Sequence, residues 1–289
     1  MTERALLIAD SGSTKTDWML LGEGGSHSFQ TEGINPVTLS SECILSILNH
    51  QVCPQVADFA AGKALHIYFY GAGCRPELCP SLAGLISQSL LRGTDGGQVS
   101  VHSDMLGAAR ALLGDGEGIA CILGTGANAC LYDGRQIVRQ ATSLGYILGD
   151  EGSGATLGRL FVGALYEGRL PQSLLHDFEA ETHLTLSEII DRVYRQPGGN
   201  RFLASLSPFI SSHLEVEGLR QLVVGSLRSF LRHSVLPLQA DLPVNVVGSI
   251  ACHYRPLLSE AVAAEGLRLG TVLHRPIVAL ADYHRPQIT

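Results

Sequence analysis

Two apolar runs near the start of the chain, Ala5 to Ala9 and Trp18 to Leu21, flank the stretch Asp10-Ser11-Gly12-Ser13-Thr14-Lys15-Thr16-Asp17. Apolar runs of this length on either side of small polar residues predict a β-hairpin. Gly12 lets backbone N–H groups approach a ligand closely. Ser11, Ser13, Thr14 and Thr16 supply hydroxyls and Lys15 a charge, a combination suited to phosphate oxygens. Asp10, at the strand end, is placed to hold a hydrated Mg²⁺ beside them. An ordinary hairpin fits the same residues, because Ser-Gly-Ser is common turn chemistry. The device recurs, however: Ile119 to Leu123 reads as another buried strand, followed by Gly124-Thr125-Gly126-Ala127-Asn128 and a third apolar segment, Ala129 to Tyr132. Two such turns facing each other across a cleft would grip a polyphosphate from opposite sides.

The remaining chain predicts α/β layering. Ser26 to Thr31 extends the hairpin by a third strand, and Asn35 follows in a loop constrained by Gly33 and Pro36. A helix over about Ser40 to Val52 puts Cys43, Ile44, Ile47 and Leu48 on one face, with Ser40 as its cap. Leu65 to Tyr70 is continuously apolar, as in a strand buried on both sides of a parallel sheet. Pro80 to Leu91 reads as helix and Gln98 to His102 as strand. Asp104 then stands between that strand and a helix from Met105 to Leu113, and ligands of open α/β sheets gather at the carboxyl ends of strands. An aspartate there is equally a good N-cap, and both roles can coexist.

The run Gly114 to Gly118 reads as a junction between domains. After it, Asp133-Gly134 marks a hairpin turn, and Gly149-Asp150-Glu151-Gly152-Ser153-Gly154 leads into a helix ending near Tyr166. Asp150 is either a ligand contact or, with Glu151, a helix cap; the glycine density exceeds what capping needs. Pro171 to Leu236 is helical nearly throughout. Val244 to Val247 is a strand, and Gly248-Ser249 opens a helix from Ile250 to Glu265, a turn suited to nucleoside or phosphate contact and also to ordinary βα chemistry. A last helix over about Pro276 to Tyr283 is expected to pack back on the first domain.

Composition narrows the class. Of 289 residues 45% are hydrophobic and 16% charged, ample for buried cores and unlike a disordered chain. The formal charge of −7, with no basic run, gives no electrostatic reason to bind nucleic acid or an anionic membrane. An anionic nucleotide would be held locally, by backbone donors and metal. The seven cysteines include no Cys-x-x-Cys pair and suggest neither a disulfide framework nor a zinc site. No signal peptide or apolar run near the ~20 residues of a membrane span is evident, so a cytoplasmic protein is expected. Walker A, dinucleotide-binding and protein kinase signatures are absent.

The order Asp-x-Gly-x-Thr-x-Thr, Gly-Thr-Gly, Gly-Asp-Glu-Gly-Ser-Gly resembles the N-acetylglucosamine kinases of the sugar kinase, heat-shock ATPase and actin superfamily, over nearly the whole chain. The resemblance implies two ribonuclease H-like lobes of the actin-like ATPase fold with nucleotide and sugar between them. The first lobe would be residues 1–115, joined by a C-terminal helix in 272–289, and the second residues 116–271. It implies ATP and Mg²⁺ as cofactors. The first phosphate motif falls on Asp10 to Thr16, with Asp10, Gly12, Ser13, Thr14, Lys15 and Thr16 as contacts and Asp10 holding Mg²⁺ through water. The second falls on Gly124, Thr125 and Gly126, and the adenosine motif on Gly248 and Ser249. The catalytic base falls on Asp104, and the sugar contacts on Asn35, Asn128, Gly145 and Asp150. Ala127 stands where the family often has serine, and Ser143-Leu144-Gly145-Tyr146 replaces a glycine- and tryptophan-rich run, so the wall around the acyl group of the sugar differs.

The implied activity is ATP-dependent phosphorylation of N-acetylglucosamine at its 6-hydroxyl, with a small-molecule sugar as partner, no nucleic acid or membrane, and a homodimer compatible with it. Glucosamine and N-acetylmuramic acid are alternative acceptors. A sugar sensor or partner-driving ATPase of the same fold is the alternative of a different class.

Overall fold

In the computed structural model, residues 3–23 and 25–288 are described. Met1, Thr2, Gly24 and Thr289, which fall within the expected segments 1–115 and 272–289, lie outside the described residues. The chain forms two compact units, one of Met1–Gly116 with Arg275–Thr289, the other of Glu117–His274.

In the first unit the predicted hairpin is β1 (Arg4–Ser11) with β2 (Lys15–Gly22), and β3 (Gly25–Glu32) continues it antiparallel. β4 (Ala64–Gly71) and β5 (Gly97–Ser103) add in parallel on the other side of β1, giving the order β3-β2-β1-β4-β5. β1 is therefore central, and its alternating side chains serve two cores. Leu7 and Ala9 pack with Ile44, Ile47, Val56, Leu82 and Ile86 from the helices on one face. Leu6 and Ile8 pack on the other with Ile277, Leu280 and Ala281 of the C-terminal helix Ile277–His284.

That helix is fastened by a buried polar network. His284 Nε2 lies 2.7 Å from the Tyr70 hydroxyl, which accepts from Arg110 Nη1 at 2.8 Å, and the imidazole stacks on Tyr68 with ring centroids 3.9 Å apart. Burial, Arg110 and His102 together push the His284 imidazole down to about 4, so it is neutral.

The second unit repeats the plan. β6 (Glu117–Leu123) is central, β7 (Ala127–Asp133) and β8 (Ile137–Gln140) are antiparallel to one side, and β9 (Val244–Val247) and β10 (Leu269–Leu273) lie parallel on the other. Its core joins Cys121 and Leu123 of β6 to Leu157 and Phe161 of the Gly154–Tyr166 helix and to Val223, Leu227 and Phe230 of the Glu217–Phe230 helix.

Several boundaries differ from the expectation. The helix capped by Ser40 does not stop at Val52: a π-helical turn, Leu48–Val52, carries it into Cys53–Ala60, with Pro54 tolerated in the first turn of the new segment. The helix expected over Ile250 to Glu265 is two, Ser249–His253 and Arg255–Ala264, broken at Tyr254, where Pro256 follows two residues on and lacks the N–H an unbroken helix needs. β8 and β10 lacked a clear apolar signature because both are largely half-buried or exposed.

Candidate active site

In the first unit the parallel strands β1, β4 and β5 end in register: Ser11 pairs with Gly71, and Gly71 with Ser103. The carboxyl ends of the three strands thus form one edge, where Asp10 and Asp104 stand. Asp10 shares the face of Leu6 and Ile8, the face that the helix beginning at Asp104 also covers through Leu106 and Ala111. Burial first, then the negative charges of Asp104 and Asp17, push the Asp10 carboxyl up to about 7 against the opposing pull of Lys15. Burial likewise raises Asp104, opposed by the N–H of Met105, whose bond to Oδ1 is 2.8 Å.

The helix cap is not Asp104. Ser103 takes that duty, its hydroxyl accepting the Leu106 N–H at 3.3 Å, so Asp104 sits in the first turn with one carboxylate oxygen uncommitted to capping.

The turn between β1 and β2 divides its labour. Ser11 and Thr16 are fully buried, their hydroxyls 2.7 Å apart; Ser11 also bonds the backbone of Ile34, and Thr16 donates to the Glu32 carbonyl. Their hydroxyls are therefore spent on the fold. The Gly12 N–H likewise donates to the Lys15 carbonyl at 3.0 Å and closes the turn. Gly12, Ser13 and Thr14 form the exposed tip, and Lys15 pairs with Asp17 at 3.4 Å rather than with Asp10. Asp17 is held further by Gln30 and by Arg275, 3.7 Å away.

The tip rests on Gly33, expected only to constrain the Asn35 loop. A Cβ there would fall 2.5 Å from the Gly12 carbonyl oxygen, so only glycine lets the following loop pass under the turn. Asn35, next in that loop, accepts the Val37 N–H through Oδ1 and borders Gly73, where a Cβ would fall 2.2 Å from the same oxygen.

In the second unit Gly124-Thr125-Gly126 lies against the start of the Gly154–Tyr166 helix, whose Gly154 and Ala155 N–H groups donate to the carbonyls of Gly124 and Thr125. Ser153, not Asp150 or Glu151, caps that helix. Asp150 is thereby released, with its backbone in the left-handed region at φ 56°, and its carboxylate accepts the Ala127 N–H. Burial raises its pKa against that hydrogen bond. Gly126 is small for a reason: a Cβ there would lie 2.9 Å from Asp150 Oδ2. Gly248, at φ 132°, crosses so close to Leu123 that a Cβ would sit 2.2 Å from its carbonyl oxygen. The expected second phosphate turn and adenosine turn are thus neighbours.

Asn128 and Asp150 line a cavity of about 390 Å³ together with Leu144 and Glu151, and with Arg139 and His233, two residues that sequence spacing did not mark as site residues. Gly145, at φ 74°, starts the single helical turn Gly145–Leu148 beside it but does not line it. Asn128 Oδ1 is occupied by the N–H of Ala129, 2.8 Å away. Ser249 begins the short helix after Gly248.

Two mixed five-stranded sheets of one strand order, each with a glycine-rich turn at the end of its central strand, define the actin- and hexokinase-like ATPase fold. A candidate N-acetylglucosamine kinase from Porphyromonas gingivalis superposes with a TM-score of 0.93 and 48% identity, over 98% of this chain and 100% of that one. The chain belongs to the N-acetylglucosamine kinase family. A second candidate N-acetylglucosamine kinase, from Chromobacterium violaceum, shares the fold at 21% identity, with a TM-score of 0.73 over 97% of this chain and 99% of that one. MreB 5 of Spiroplasma citri, solved with AMPPNP, shares it at 9% identity and a TM-score of 0.59, over 99% of this chain and 97% of that one. No family model matches the chain, and no curated protein sequence does.

Proposed function

We propose that the protein transfers the γ-phosphoryl group of ATP to the 6-hydroxyl of N-acetylglucosamine, with Asp104 as general base. The observation that carries this reading is the state of Asp104: a carboxyl at the end of a parallel strand, relieved of helix capping by Ser103 and raised in pKa by burial. A base needs a proton affinity matched to the working pH, and burial moves a carboxylate in that direction. A residue that only capped a helix would need no such environment.

The residues around Asp10 suit a hydrated divalent cation. Its carboxylate accepts no hydrogen bond from the described residues and stands beside two other acids, Asp104 and Asp17. Mg²⁺ bound there would supply charge neutralisation for the phosphate oxygens. Asp10 would orient the cation through water. The tip at Ser13 and Thr14 would meet phosphate in place of Gly12, whose N–H is already used. Asp104 would take the proton of the sugar hydroxyl as it attacks, and Asp150 and Asn128 would fix the ring so that this hydroxyl is in line.

The test is ADP release with MgATP against N-acetylglucosamine, glucosamine, N-acetylmuramic acid, glucose and no sugar, with product mass measured. Stimulation by N-acetylglucosamine and a monophosphate product would support the reading. Hydrolysis indifferent to sugar would overturn it in favour of a partner-driving ATPase.

A further inference from the structure

A second cavity, of about 560 Å³, lies in the second unit on the other side of the Asp150 loop. It is a groove between the Gly154–Tyr166 and Glu217–Phe230 helices, which run side by side in opposite directions: Gly152 meets Phe230 at one end, and Gly218 meets Leu170 at the other. Gly225 opens its wall, since a Cβ there would meet nothing within 4 Å. A volume of this size is that of a small-molecule site.

Its lining has a definite chemistry. Arg159 is exposed and has neither a hydrogen bond nor an ion pair among the described residues. Near it stand Gln221, Ser226, Ser229 and Glu151, which offer amide, hydroxyl and carboxylate groups. Ser226 accepts the Gly152 N–H at 3.2 Å, which leaves its own O–H to donate. An unpaired guanidinium suits an oxyanion, and a set of mixed donors and acceptors suits the hydroxyls of a sugar.

The groove is also wired to the loop that holds Asp150. Ser226 holds Gly152, Thr156 donates to the Asp150 carbonyl at 2.9 Å, and Glu151 lines both cavities. Asp150 keeps its left-handed backbone only while such contacts hold it.

We infer that this groove is a regulatory site for a phosphorylated sugar, its phosphate on Arg159 and its hydroxyls on the Gln221, Ser226, Ser229 and Glu151 side chains. Occupancy there is felt at Asp150 through Ser226 and Thr156. Only the kinetic consequence rests on the kinase reading; binding does not.

The experiment is calorimetric titration of the full chain, without nucleotide, with glucosamine 6-phosphate and separately with inorganic phosphate. Loss of a charge-assisted contact predicts binding of the ester weakened roughly tenfold or more by Arg159→Gln. Gly225→Leu, which fills the groove from an unobstructed helix position, should do the same, with circular dichroism unchanged. Asp150→Asn should leave it in place. No binding by the wild type, binding unaffected by both groove variants, loss in Asp150→Asn alone, or inorganic phosphate binding as tightly as the ester would each overturn the assignment. If the chain proves to be a kinase, the ester should also shift the acceptor KM in the wild type and not in Gly225→Leu.

Discussion

The Asp150 carboxylate lies over Gly126, with no room for a single additional carbon between them. Gly126→Ala is therefore expected to displace the carboxylate and not the strand. Acceptor KM should rise by roughly tenfold or more, the loss of one charged hydrogen bond, and Asp150→Asn, which leaves the Gly124-Thr125-Gly126 turn untouched, should raise the acceptor KM without the ATP KM. Steady-state kinetics with each substrate varied would check this. An acceptor KM unchanged in both variants would argue against Asp150 as a sugar contact.

Asp104→Asn removes the proton acceptor while keeping the shape and the bond to the Met105 N–H. A fall in kcat of about 10²–10⁴-fold is expected, with nucleotide binding retained. Near-normal turnover would remove Asp104 from the mechanism. Because burial raises the Asp104 carboxyl and Asp10 is pushed up to about 7, turnover in the wild type should fall as the pH drops below neutral.

Stability of the first unit should carry two opposed titrations. Asp10 keeps its proton to about pH 7 when folded but loses it near 3.8 when unfolded, so its contribution declines as pH rises between those values. Asp104, raised in the same direction, acts alike. His284 stays neutral to about pH 4 when folded but protonates near 6.5 when unfolded, so its contribution declines as pH falls through that window. In Asp10→Asn the loss of stability with rising pH should be smaller than in the wild type, with Asp104 still opposing His284. In His284→Gln it should be larger. The lone tryptophan, Trp18, is buried in this unit, so fluorescence-detected denaturation across pH 4 to 7 reports on it directly.

Gly248→Ala places a carbon 2.2 Å from the Leu123 oxygen and forces alanine to a φ of 132°. Strain of this kind costs roughly 1–3 kcal/mol, and chemical denaturation of the second unit should show at least that loss. Since Leu123 leads into Gly124, ATP affinity should weaken as well. An unchanged midpoint would mean that the loop repacks.

Much of this was legible from local pattern. The hairpin around Gly12 and its echo around Gly126 were visible because apolar strands and small-residue turns leave short-range signals, and the recurrence pointed to the repeated sheet. What the pattern could not give was the allocation of duties within a motif. Ser11 and Thr16 read as ligand hydroxyls, yet their partners, Ile34 and Glu32, lie on a later segment that only folding brings near. Ser103 and Ser153 took the caps assigned in one reading to Asp104, one residue away, and to Asp150 or Glu151, three and two residues away, a difference finer than spacing can resolve. Gly33 offered a signal, as a glycine entering a constrained loop, but the need for it appears only once Gly12 lies overhead. His233 reaches the Asp150 cavity from a distant part of the chain and Arg139 from β8, the strand beside β7, and nothing in their own surroundings marks them.

The cover that Ile277, Leu280 and Ala281 give to Leu6 and Ile8 has a consequence for synthesis. The ribosome delivers the central strand of the first unit well before the helix that covers it, with the whole of the second unit between. The second unit can close its own core while still tethered, but one face of the first waits bare until the helix at 277–284 has been made. A nascent chain halted before Arg275 should therefore hold a protease-resistant second unit and a first unit open to chaperones, and premature termination ahead of the helix at 277–284 should harm a segment made much earlier.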